Sequence, residues 1–395
     1  MSTAISQKKD ILIISNYFPP ESGAASNRIY TLATSLTENN YEVTVVCPLP
    51  NYPFGKIFDT HKGKRYSKTI ENNLIVYRLW LFASNSKNKF VRLFSMLSFA
   101  IHLFFFLLFK KTPKKVLIQC SPLFVGFFGV LISKIKRKKI ILNVSDLWPL
   151  AGLEMGLLNK GKYYSILEKI ELFNYKNSDL LIGQSQEILD HFKKCVPSKE
   201  SFLYRNYPNF DIKPIQENTE TKTFKIVYAG LLGIAQGLLN LCKELNLPDN
   251  IELHIYGNGP EANQLIEYIK NKKNIIYHGS VERAVLHQEL RTYDLTLIPL
   301  INRIYGSVPS KIFEYARLGL PILYFSDGEG NEIVKKHQLG LTINSLDYNA
   351  LNNVITDLGE HKLTLPKKGE ILKIAESEFN LAKQFKHFII EIEKC

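Results

Sequence analysis

KIVYAGLLGIAQG (residues 225–237) and IELHIYGNGPE (residues 251–261) are the two stretches that decide the fold of this chain. Each begins with an apolar run containing β-branched residues and ends in glycines, at a point where a helix can start. This pattern is typical of a βα unit, in which a short buried strand of a parallel sheet leads into a helix. The same alternation continues on both sides through most of the 395 residues, so we predict an α/β protein.

The apolar runs fall into two series, which predicts two doubly wound domains with parallel sheets. The first domain would span residues 1–206 and the second residues 223–375. Between them, residues 207–222 are rich in Pro, Asn and Glu and form the predicted linker. Parallel sheets bind ligands at the carboxyl ends of their strands, so we expect both domains to face one interdomain cleft. The predicted strands are Ile11–Ser15, Glu42–Val46, Leu74–Arg78, Lys115–Gln119, Lys139–Val144, Leu180–Gln184, Lys225–Ala229, Ile251–Tyr256, Asn274–His278, Leu295–Pro299 and Pro321–Phe325.

The excess positive charge of the chain is confined to its first half. Residues 1–206 hold 29 Lys and Arg against 14 Asp and Glu, a balance of +15. Residues 207–395 hold 21 against 23, a balance of −2. A basic surface attracts polyanions, which suggests either nucleic acid or the anionic face of a membrane as partner. Nucleic acid is disfavoured because the basic residues lie beside apolar runs and no known nucleic-acid module is present.

Cysteine usage and the N-terminus predict a cytoplasmic protein. The five cysteines are scattered and form no Cys-x-x-Cys pair. Neither a zinc site nor a disulfide framework is therefore indicated. No apolar segment precedes Ile11, and for that reason we expect no signal peptide.

The apolar segment Phe90–Phe109 is long enough, as a helix of about 30 Å, to span a bilayer. Polar residues spaced three and four apart draw a stripe down one side, and the flanking strands belong to one sheet, so a spanning helix is disfavoured. We predict a helix that packs on the sheet and lays one apolar face in the membrane interface. A helix buried wholly within the domain is the alternative. The stripe consists of Arg92, Ser95, Ser98 and His102, and the expected membrane contacts are Phe104, Phe105, Phe106, Lys110, Lys111, Lys114 and Lys115.

Two motifs of the first domain follow predicted strands. SNYFPPESGAASNR (residues 15–28) has small residues where a helix opens, so backbone N–H groups can approach an anion, with Arg28 one turn further on. Close helix packing and a solvated arginine are the alternatives. Because the motif is not Gly-x-Gly-x-x-Gly, a dinucleotide dehydrogenase is disfavoured. Asp146 and Trp148 follow another strand, where an indole suits the apolar face of a sugar. A helix cap and a core tryptophan fit the local pattern equally well.

Glycines close two consecutive strands of the second domain. Gly230 and Gly233 follow the first of these strands, and Gly257 and Gly259 follow the next. Each pair alone would be an ordinary tight turn. Two pairs in consecutive βα units favour a binding site for a diphosphate.

PSKIFEYARLGLP (residues 309–321) is the most specific motif of the chain. Ser310 is the expected N-cap of a helix that begins with Lys311 and carries Glu314 in its first turn. A glutamate at this position can accept hydrogen bonds from both hydroxyls of a ribose, and the lysine can bind a phosphate. The alternative is an ordinary capping box with Glu314 as the partner of the N-cap.

In order along the chain, these motifs resemble those of the retaining GT-B glycosyltransferases of family 4. The resemblance covers nearly the whole chain and is closest to L-fucosamine (N-acetylfucosamine) transferases of bacterial O-antigen and capsule assembly. It implies two Rossmann-like domains, the acceptor on the first and a nucleotide-sugar donor on the second, and a final helix at residues 376–395 that crosses back to the first domain. It implies neither metal nor cofactor, because this fold neutralises the leaving diphosphate with basic side chains and helix N-termini. The matching motifs are Tyr17–Gly23, Asn51–Gly55, Asp146–Pro149, Gly230–Gly237, Gly257–Glu261 and Pro309–Glu314.

Two positions depart from the family pattern. The residue that would pair with Glu314 is Gly306, and the usual lysine of the first donor loop is Gln236. The positive charge that balances the leaving diphosphate must then come from elsewhere. The candidates are Arg28, Arg283, Arg303 and Lys311.

The resemblance predicts a transferase that moves a sugar, such as L-FucNAc, from a UDP-linked donor to a polyprenyl-diphosphate-linked saccharide at the cytoplasmic face of the inner membrane. Asp146 would orient the acceptor or act as an auxiliary base, with Lys311 and Glu314 as the other catalytic candidates. An inactive transferase-like scaffold and a nucleotide-sugar 2-epimerase are the alternatives. The candidate donor-binding residues are Gly23, Arg28, Gly230, Gly233, Gly257, Gly259, Arg283, Arg303 and Ser310, and the candidate acceptor-binding residues are Glu21, His102 and Trp148.

Overall fold

The structure is a computed structural model that describes residues 9–86, 88–210 and 223–395. Most of the predicted linker, residues 211–222, lies outside these described residues. The chain divides into two compact units. The first comprises the residues up to Arg205 together with Lys383–Cys395, and the second comprises Asn206–Ala382. Each unit contains a largely parallel sheet, which confirms the predicted fold class.

The first unit is built on an eight-stranded sheet. Its strands are β1 (Lys9–Ile14), β2 (Tyr41–Pro48), β3 (Tyr66–Glu71), β4 (Leu74–Leu79), β5 (Lys115–Gln119), β6 (Lys139–Val144), β7 (Leu180–Gly183) and β8 (Ser201–Leu203). They lie in the order β3-β4-β2-β1-β5-β6-β7-β8, and only β3 and β4 pair antiparallel. The helices of this half are α1 (Ala24–Glu38), α2 (Lys89–Phe109), α3 (Leu123–Ile135), α4 (Leu150–Glu154), α5 (Lys162–Lys176) and α6 (Gln186–Cys195).

The second unit is built on a six-stranded parallel sheet in the order β11-β10-β9-β12-β13-β14. Its strands are β9 (Phe224–Ala229), β10 (Ile251–Tyr256), β11 (Ile275–Gly279), β12 (Leu295–Pro299), β13 (Ile322–Phe325) and β14 (Gly340–Ile343). The remaining helices are α7 (Leu238–Glu244), α8 (Ala262–Ile269), α9 (Arg283–Leu290), α10 (Lys311–Arg317), α11 (Glu329–Lys336), α12 (Tyr348–Gly359), α13 (Lys368–Glu378) and α14 (Leu381–Lys394).

The central strands are apolar on both faces because helices cover both sides of each sheet. In the first unit, Ile11–Ile14 of β1 are wholly buried, and the apolar residues of β5 beside it and of β6 next to β5 are also buried. In the second unit, β9 and β12 lie at the centre, and their apolar residues are buried apart from the partly buried Phe224. The carboxyl ends of these parallel strands meet at one edge of each sheet, which is where the candidate site residues lie.

All eleven predicted strands are present, with boundaries that differ by at most two residues. Three strands were missed, namely β3, β8 and β14, and all three lie at sheet edges. β3 is mostly exposed and reads YSKTIE, while β8 has three residues and β14 four. Edge strands with one partner bury little apolar surface, so their sequences lack the signal that identified the central strands.

The predicted helix at residues 376–395 is interrupted. α13 ends at Glu378, and α14 begins at Leu381. Phe385, Phe388 and Ile392 of α14 are buried, and the ring of Phe388 lies 5.0 Å from that of Tyr204. The backbone of Arg205 and the side-chain amide of Gln384 exchange two hydrogen bonds. Residues 383–395 thus belong to the core of the first unit.

Helix α2 buries one face and exposes another. Phe99, Ala100, Leu103 and Leu107 are buried, which makes it part of the first unit rather than a separate anchor. A contiguous set of apolar side chains nevertheless remains exposed, so the alternative of a wholly buried helix is wrong. Within the described residues, no helix has the length and apolar character needed to cross a membrane. The outward face of α2 consists of Phe94, Ile101, Phe105, Leu108 and Phe109.

Three details of the α2 prediction are corrected. Of the three consecutive phenylalanines, only Phe105 is largely exposed, because Phe104 packs on Phe128 and Phe106 on Tyr77. Ser98 of the predicted polar stripe is buried and accepts a hydrogen bond from the backbone N–H of Phe82, and the side chain of Arg92 is not among those described. Lys115 is half-buried and donates to the carbonyl of Ile392, so it is not part of a cationic surface. The basic edge beside α2 consists of the exposed Lys110, Lys111, Lys114, Lys134 and Lys136.

Candidate functional site

Glu314 lies in the first turn of α10 and is held from helix α9. Its Oε1 atom accepts hydrogen bonds from Arg283 Nη2 at 2.9 Å and from His287 at 2.8 Å. Both donors come from one face of α9, since residues four apart on a helix are neighbours. Within the described chain, Oε2 has no hydrogen-bond partner, so it is the oxygen left to meet a ligand. Glu314 is not a capping-box partner, because its carboxylate bonds to α9 rather than to the helix N-terminus.

Glu314 is held in its ionised form. Burial alone would raise the pKa of this carboxyl, but the hydrogen bond from His287 and the positive charge of Arg283 outweigh burial and lower it. Phe210 packs on the ring of His287 at a centroid distance of 4.6 Å, which fixes the imidazole. An ionised carboxylate with a free oxygen is suited to accept hydrogen bonds from a pair of hydroxyl groups.

Lys311, the first residue of α10, reaches the carboxyl end of β9. Its amine donates to the carbonyl of Ala229 and lies 4.8 Å from the centre of the Tyr228 ring. Burial lowers the pKa of Lys311 to about 8, against the opposing influence of Glu314. The absence of a side chain at Gly230 leaves room for this amine, because a Cβ atom there would overlap it.

The two glycine loops of the second unit pack directly on each other. Gly257 has φ +132°, and a Cβ atom there would overlap the carbonyl oxygen of Gly230. A Cβ atom at Gly259 would likewise overlap the carbonyl of Leu232. The N–H groups of Gly230 and Gly257 donate to the carbonyls of Tyr256 and Gly279, and the N–H of Leu232 donates to Asn258. These glycines are therefore required for close loop packing beside Lys311, and their own N–H groups are already engaged.

Ser310, Gly233 and Arg303 are the remaining donor-binding candidates of the second unit. Ser310 precedes α10, but its side chain makes no capping hydrogen bond. Gly233 lies in the turn before α7, where its carbonyl accepts the N–H groups of Gln236 and Gly237. The guanidinium of Arg303 lies against Gly328, at the N-terminus of α11, and 5.8 Å from the ring centre of Tyr305.

The first unit gathers polar side chains at the carboxyl ends of β6 and β7. Arg28 reaches across from α1, is almost wholly buried, and donates to Gln184 at 2.7 Å and to the hydroxyl of Ser145. It is therefore not a solvated arginine. Next to Ser145, Asp146 is half-buried, and burial raises the pKa of its carboxyl despite the charge of Arg28 and a hydrogen bond from Ser121. A carboxyl with a raised pKa in a polar cluster is a candidate general base.

Glu21, in the loop after β1, holds two loops of the first unit together. Its Oε1 atom accepts the backbone N–H groups of Asn51 at 2.7 Å and Tyr52 at 2.9 Å, which ties the loop after β2 to the loop after β1. Tyr52 in turn lies beside Gly23 and packs edge-on against Tyr17. Burial and the negative charge of Glu21 raise the pKa of the Tyr17 phenol.

The other two predicted acceptor residues lie apart from each other. Trp148 is half-buried and packs on Gly152, where a Cβ atom would meet its ring at 2.6 Å. His102 is exposed on α2, bonds to the carbonyl of Ser98 and packs on Trp80 at a centroid distance of 5.3 Å. Trp148 thus lies beside Asp146 in sequence and structure, whereas His102 lies beside the segment that follows β4.

The sequence identified Glu314, Lys311 and Arg283 as candidates, but it did not identify His287, which donates the second hydrogen bond to Glu314. His287 lies four residues after Arg283, and this helical spacing is the signal that could have identified it. Gln184 and Ser145, the partners of Arg28, carried no such signal because they are distant in sequence. In the described residues, no group of three or more His, Cys, Asp or Glu side chains is arranged to hold a metal ion.

Residues 223–361 match the family model described as glycosyl transferases group 1. The match lies within the second unit and includes Lys311 and Glu314. None of the curated proteins compared with this chain matches it significantly.

Three solved structures illustrate the likeness of the whole chain. Sucrose-phosphate synthase from Thermosynechococcus elongatus is 13% identical, with a TM-score of 0.74 over 98% of this chain and 99% of the synthase. Anabaena HepE in complex with UDP-glucose is 13% identical, with a TM-score of 0.65 over 98% and 100%. The lipopolysaccharide outer core galactosyltransferase WaaB is 16% identical, with a TM-score of 0.62 over 97% and 99%. At these identities the likeness shows the fold alone, which is the GT-B architecture predicted from the sequence.

Proposed function

We propose that this protein is a glycosyltransferase that uses a nucleotide-sugar donor. The observation that carries the proposal is the arrangement at the start of α10. There an ionised Glu314 offers a free oxygen, and the buried amine of Lys311 lies beside the paired glycine loops. A nucleoside diphosphate presents ribose hydroxyls, which a carboxylate can bind, and phosphate oxygens, which an ammonium group can bind. The match of residues 223–361 to glycosyl transferases group 1 supports this reading.

The proposed reaction is a front-face displacement with retention and without a metal ion or cofactor. The acceptor hydroxyl attacks the anomeric carbon from the side on which the diphosphate leaves, and a leaving phosphate oxygen takes the proton. Catalysis then rests on positioning and charge stabilisation. Glu314 holds the ribose, Lys311 stabilises the leaving diphosphate, and Asp146 orients the acceptor or serves as auxiliary base.

The finer assignment concerns the two substrates. We assign UDP as the nucleotide, since HepE, a protein of similar fold, was crystallised with UDP and UDP-glucose. The sequence resemblance supports an N-acetylated amino sugar such as L-FucNAc as the donor sugar. It also supports a polyprenyl-diphosphate-linked saccharide of surface polysaccharide synthesis as acceptor. The enzyme would then act as a peripheral protein at the cytoplasmic face of the inner membrane.

The direct test is transfer to a polyprenyl-diphosphate saccharide, followed by mass spectrometry of the lipid product. A screen of nucleotide sugars by thermal shift selects the donor first, because a ligand stabilises the fold by mass action. We expect a mass increase of one sugar that depends on both substrates. Donor binding without transfer would instead indicate an inactive scaffold, and conversion of the nucleotide sugar without acceptor would indicate a 2-epimerase.

Replacement of Glu314 by Ala is expected to weaken donor binding. The change removes charge-assisted hydrogen bonds worth about 1.5–3 kcal/mol each, so the donor KM should rise by about tenfold to a hundredfold. The acceptor KM should stay within about twofold, since Glu314 would not touch the acceptor. Steady-state kinetics with each substrate varied in turn measures both constants.

The matched control for Glu314 is Glu360→Ala. Glu360 belongs to the same unit and is exposed in an ion pair with Lys362. This control should leave both KM values unchanged. If Glu314→Ala folds normally and keeps the donor KM of the parent, the ribose assignment is wrong.

The outward face of α2 and the basic edge beside it support membrane association. An apolar helix face flanked by lysines is the combination that binds anionic bilayer surfaces. Phe105 is 52% exposed and Phe109 79% exposed, and their rings stack at 6.4 Å on the surface. Large exposed aromatic side chains of this kind are costly in water unless a partner covers them.

Replacement of Phe105 and Phe109 by Ser is expected to reduce binding to anionic vesicles by about tenfold or more, because the variant loses most of its apolar contact. Co-sedimentation with vesicles rich in phosphatidylglycerol measures the effect. The control is Ile390→Ser, since Ile390 is also 52% exposed but lies on α14. Equal sedimentation of the double variant and the parent would show that this face is not the membrane contact.

A further inference from the structure

We propose that a groove beside the segment after β4 binds the hydrocarbon tail of a lipid diphosphate. The inference rests on the proposed function, because it assigns a binding site to the acceptor class named there. The groove lies in the first unit between residues 54–62 and residues 80–83, with a volume of about 810 Å³. This is within the range of about 300–1,000 Å³ that small-molecule sites usually occupy. Its aromatic lining consists of Phe54, Phe58, Trp80 and Phe82.

The lining is apolar although it is open to solvent. Phe54 is 69% exposed and Phe82 is 38% exposed, while Trp80 and Phe58 are partly covered. The aromatic side chains come from both sides of the groove, so an extended hydrocarbon placed between them would contact both walls. Contiguous exposed apolar surface of this kind marks a binding site more often than it marks inert surface.

The groove is preformed by hydrogen bonds on both of its walls. The side-chain amide of Asn85 donates to the carbonyl of Pro53 at 2.6 Å, and the N–H of Phe58 donates to Pro50 at 2.9 Å. On the other wall, the N–H of Phe82 donates to Ser98 of α2 at 2.8 Å. Because both walls are held in place, binding a ligand requires little ordering of the chain.

The charges around the groove suit an anionic head group. Lys56 and Lys62 line it and are exposed, and Asp59 is the carboxylate in the lining. Two ammonium groups against one carboxylate leave a positive balance at the rim. An apolar wall with a cationic rim matches a lipid with a diphosphate head and does not match a free sugar or an uncharged oil.

The groove is continuous with two surfaces that the proposed function already uses. On one side, Phe82 packs on Phe94 of the outward face of α2 at 5.3 Å, and Trp80 packs on His102. On the other side, the loop that carries Phe54 is tied through Tyr52 to Glu21 and Gly23. A lipid in the groove would therefore run from the outward face of α2 towards the loop after β1, which carries Glu21, one of the predicted acceptor-binding residues.

The first experiment measures binding through Trp80. The chain has two tryptophans, Trp80 and Trp148, so a Trp148→Phe variant reports on the groove alone. We expect farnesyl diphosphate to change the fluorescence of this variant with a saturable dependence on concentration. Inorganic diphosphate should leave it unchanged, and farnesol should bind at least about tenfold more weakly because it lacks the charges that meet the lysines.

The second experiment separates the tail site from transfer itself. In the full-length protein, Lys56→Glu with Lys62→Glu should raise the KM for the polyprenyl-linked acceptor by about tenfold, with the donor KM unchanged. Phe82→Ser should have an effect in the same direction. The matched control is Lys193→Glu with Lys194→Glu, which reverses two exposed charges on α6, next to the opposite edge of the same sheet.

The outcomes distinguish this proposal from the proposed function. Normal kinetics of both groove variants, or the same saturable fluorescence change with lysophosphatidylglycerol at equal concentration, would overturn the tail site while leaving glycosyl transfer intact. Failure of the parent protein to transfer any sugar would overturn the proposed function, and the fluorescence titration would still decide whether the groove binds a lipid diphosphate.

Discussion

A Lys311→Met variant is expected to lose about a hundredfold in kcat, because removal of one charge that stabilises a leaving group typically costs this much. It is also expected to unfold at a higher temperature than the parent at pH 7. Lys311 is half-buried, and burial lowers the pKa of its amine to about 8, so the fold disfavours the charged form that the proposed reaction needs. The carbonyl of Ala229 keeps a second donor, the hydroxyl of Tyr315 at 3.1 Å, so the variant leaves no buried acceptor unpaired.

Relative to the Lys311→Met variant, the stability of the parent is expected to rise with pH, whereas its activity is expected to fall. The folded-state pKa of Lys311 is lowered from 10.5 to about 8, so between these values the unfolded chain binds the proton and the folded chain does not. The free energy of unfolding of the parent, relative to that of Lys311→Met, therefore rises with pH between about 8 and 10.5. In the parent, kcat/KM should fall as pH rises through about 8, since this parameter reports ionisation of the free enzyme. Calorimetry at pH 7 and pH 10 and a pH–rate profile measure the two effects.

The control for Lys311 is Lys243→Met, which replaces an exposed lysine of α7 in the same unit. Both kcat and the unfolding temperature should stay close to those of the parent. The assignment fails if Lys311→Met retains full kcat, or if it is less stable than the parent at pH 7.

A Gly257→Ala variant is expected to destabilise the second unit by about 2–5 kcal/mol. Positive φ costs a non-glycine residue about 1–2 kcal/mol, and the overlap of Cβ with the carbonyl of Gly230 adds about 1–3 kcal/mol. Gly279→Ala is the matched control, because Gly279 also has positive φ, at +74°, but has open space around its Cβ position. That variant should lose only about 1 kcal/mol.

The placement of the tryptophans allows the effect of Gly257→Ala to be localised. Trp80 and Trp148 both lie in the first unit. Urea unfolding followed by fluorescence should therefore be unchanged in the variant, while the far-UV circular dichroism should show an earlier transition. Stabilisation by UDP should also be lost. Equal midpoints for Gly257→Ala and Gly279→Ala would show that the two glycine loops do not depend on close contact.

The fold could be predicted to a large extent from the sequence because its signal is local. Buried strands such as β1 and β9 contain continuous apolar runs, and Gly230 marks the turn after β9. β3 could not be recognised, since a strand paired on one side is selected for solubility rather than burial. The break at Phe379 and Asn380 was missed because neither Gly nor Pro marks it in the sequence.

Within the candidate site, the sequence predicts only those residues whose proximity follows from their spacing on one helix. Glu314 and Lys311 are three residues apart on one helix turn, so their proximity can be read from the sequence. The carboxylate of Glu314 also depends on α9, and Arg28 depends on the ends of β6 and β7. Such pairings arise from the packing of distant segments, and no spacing rule encodes them.

The return of α14 to the first unit has a consequence for biosynthesis. Phe388 and Ile392 complete a core whose other members, such as Tyr204, are translated before the whole of the second unit. As the chain leaves the ribosome, the first unit must wait with an apolar edge uncovered while the second unit is made and folds as an uninterrupted segment. The first unit is thus the first to be synthesised and the last to be completed, and its nascent form exposes apolar surface that a chaperone can bind.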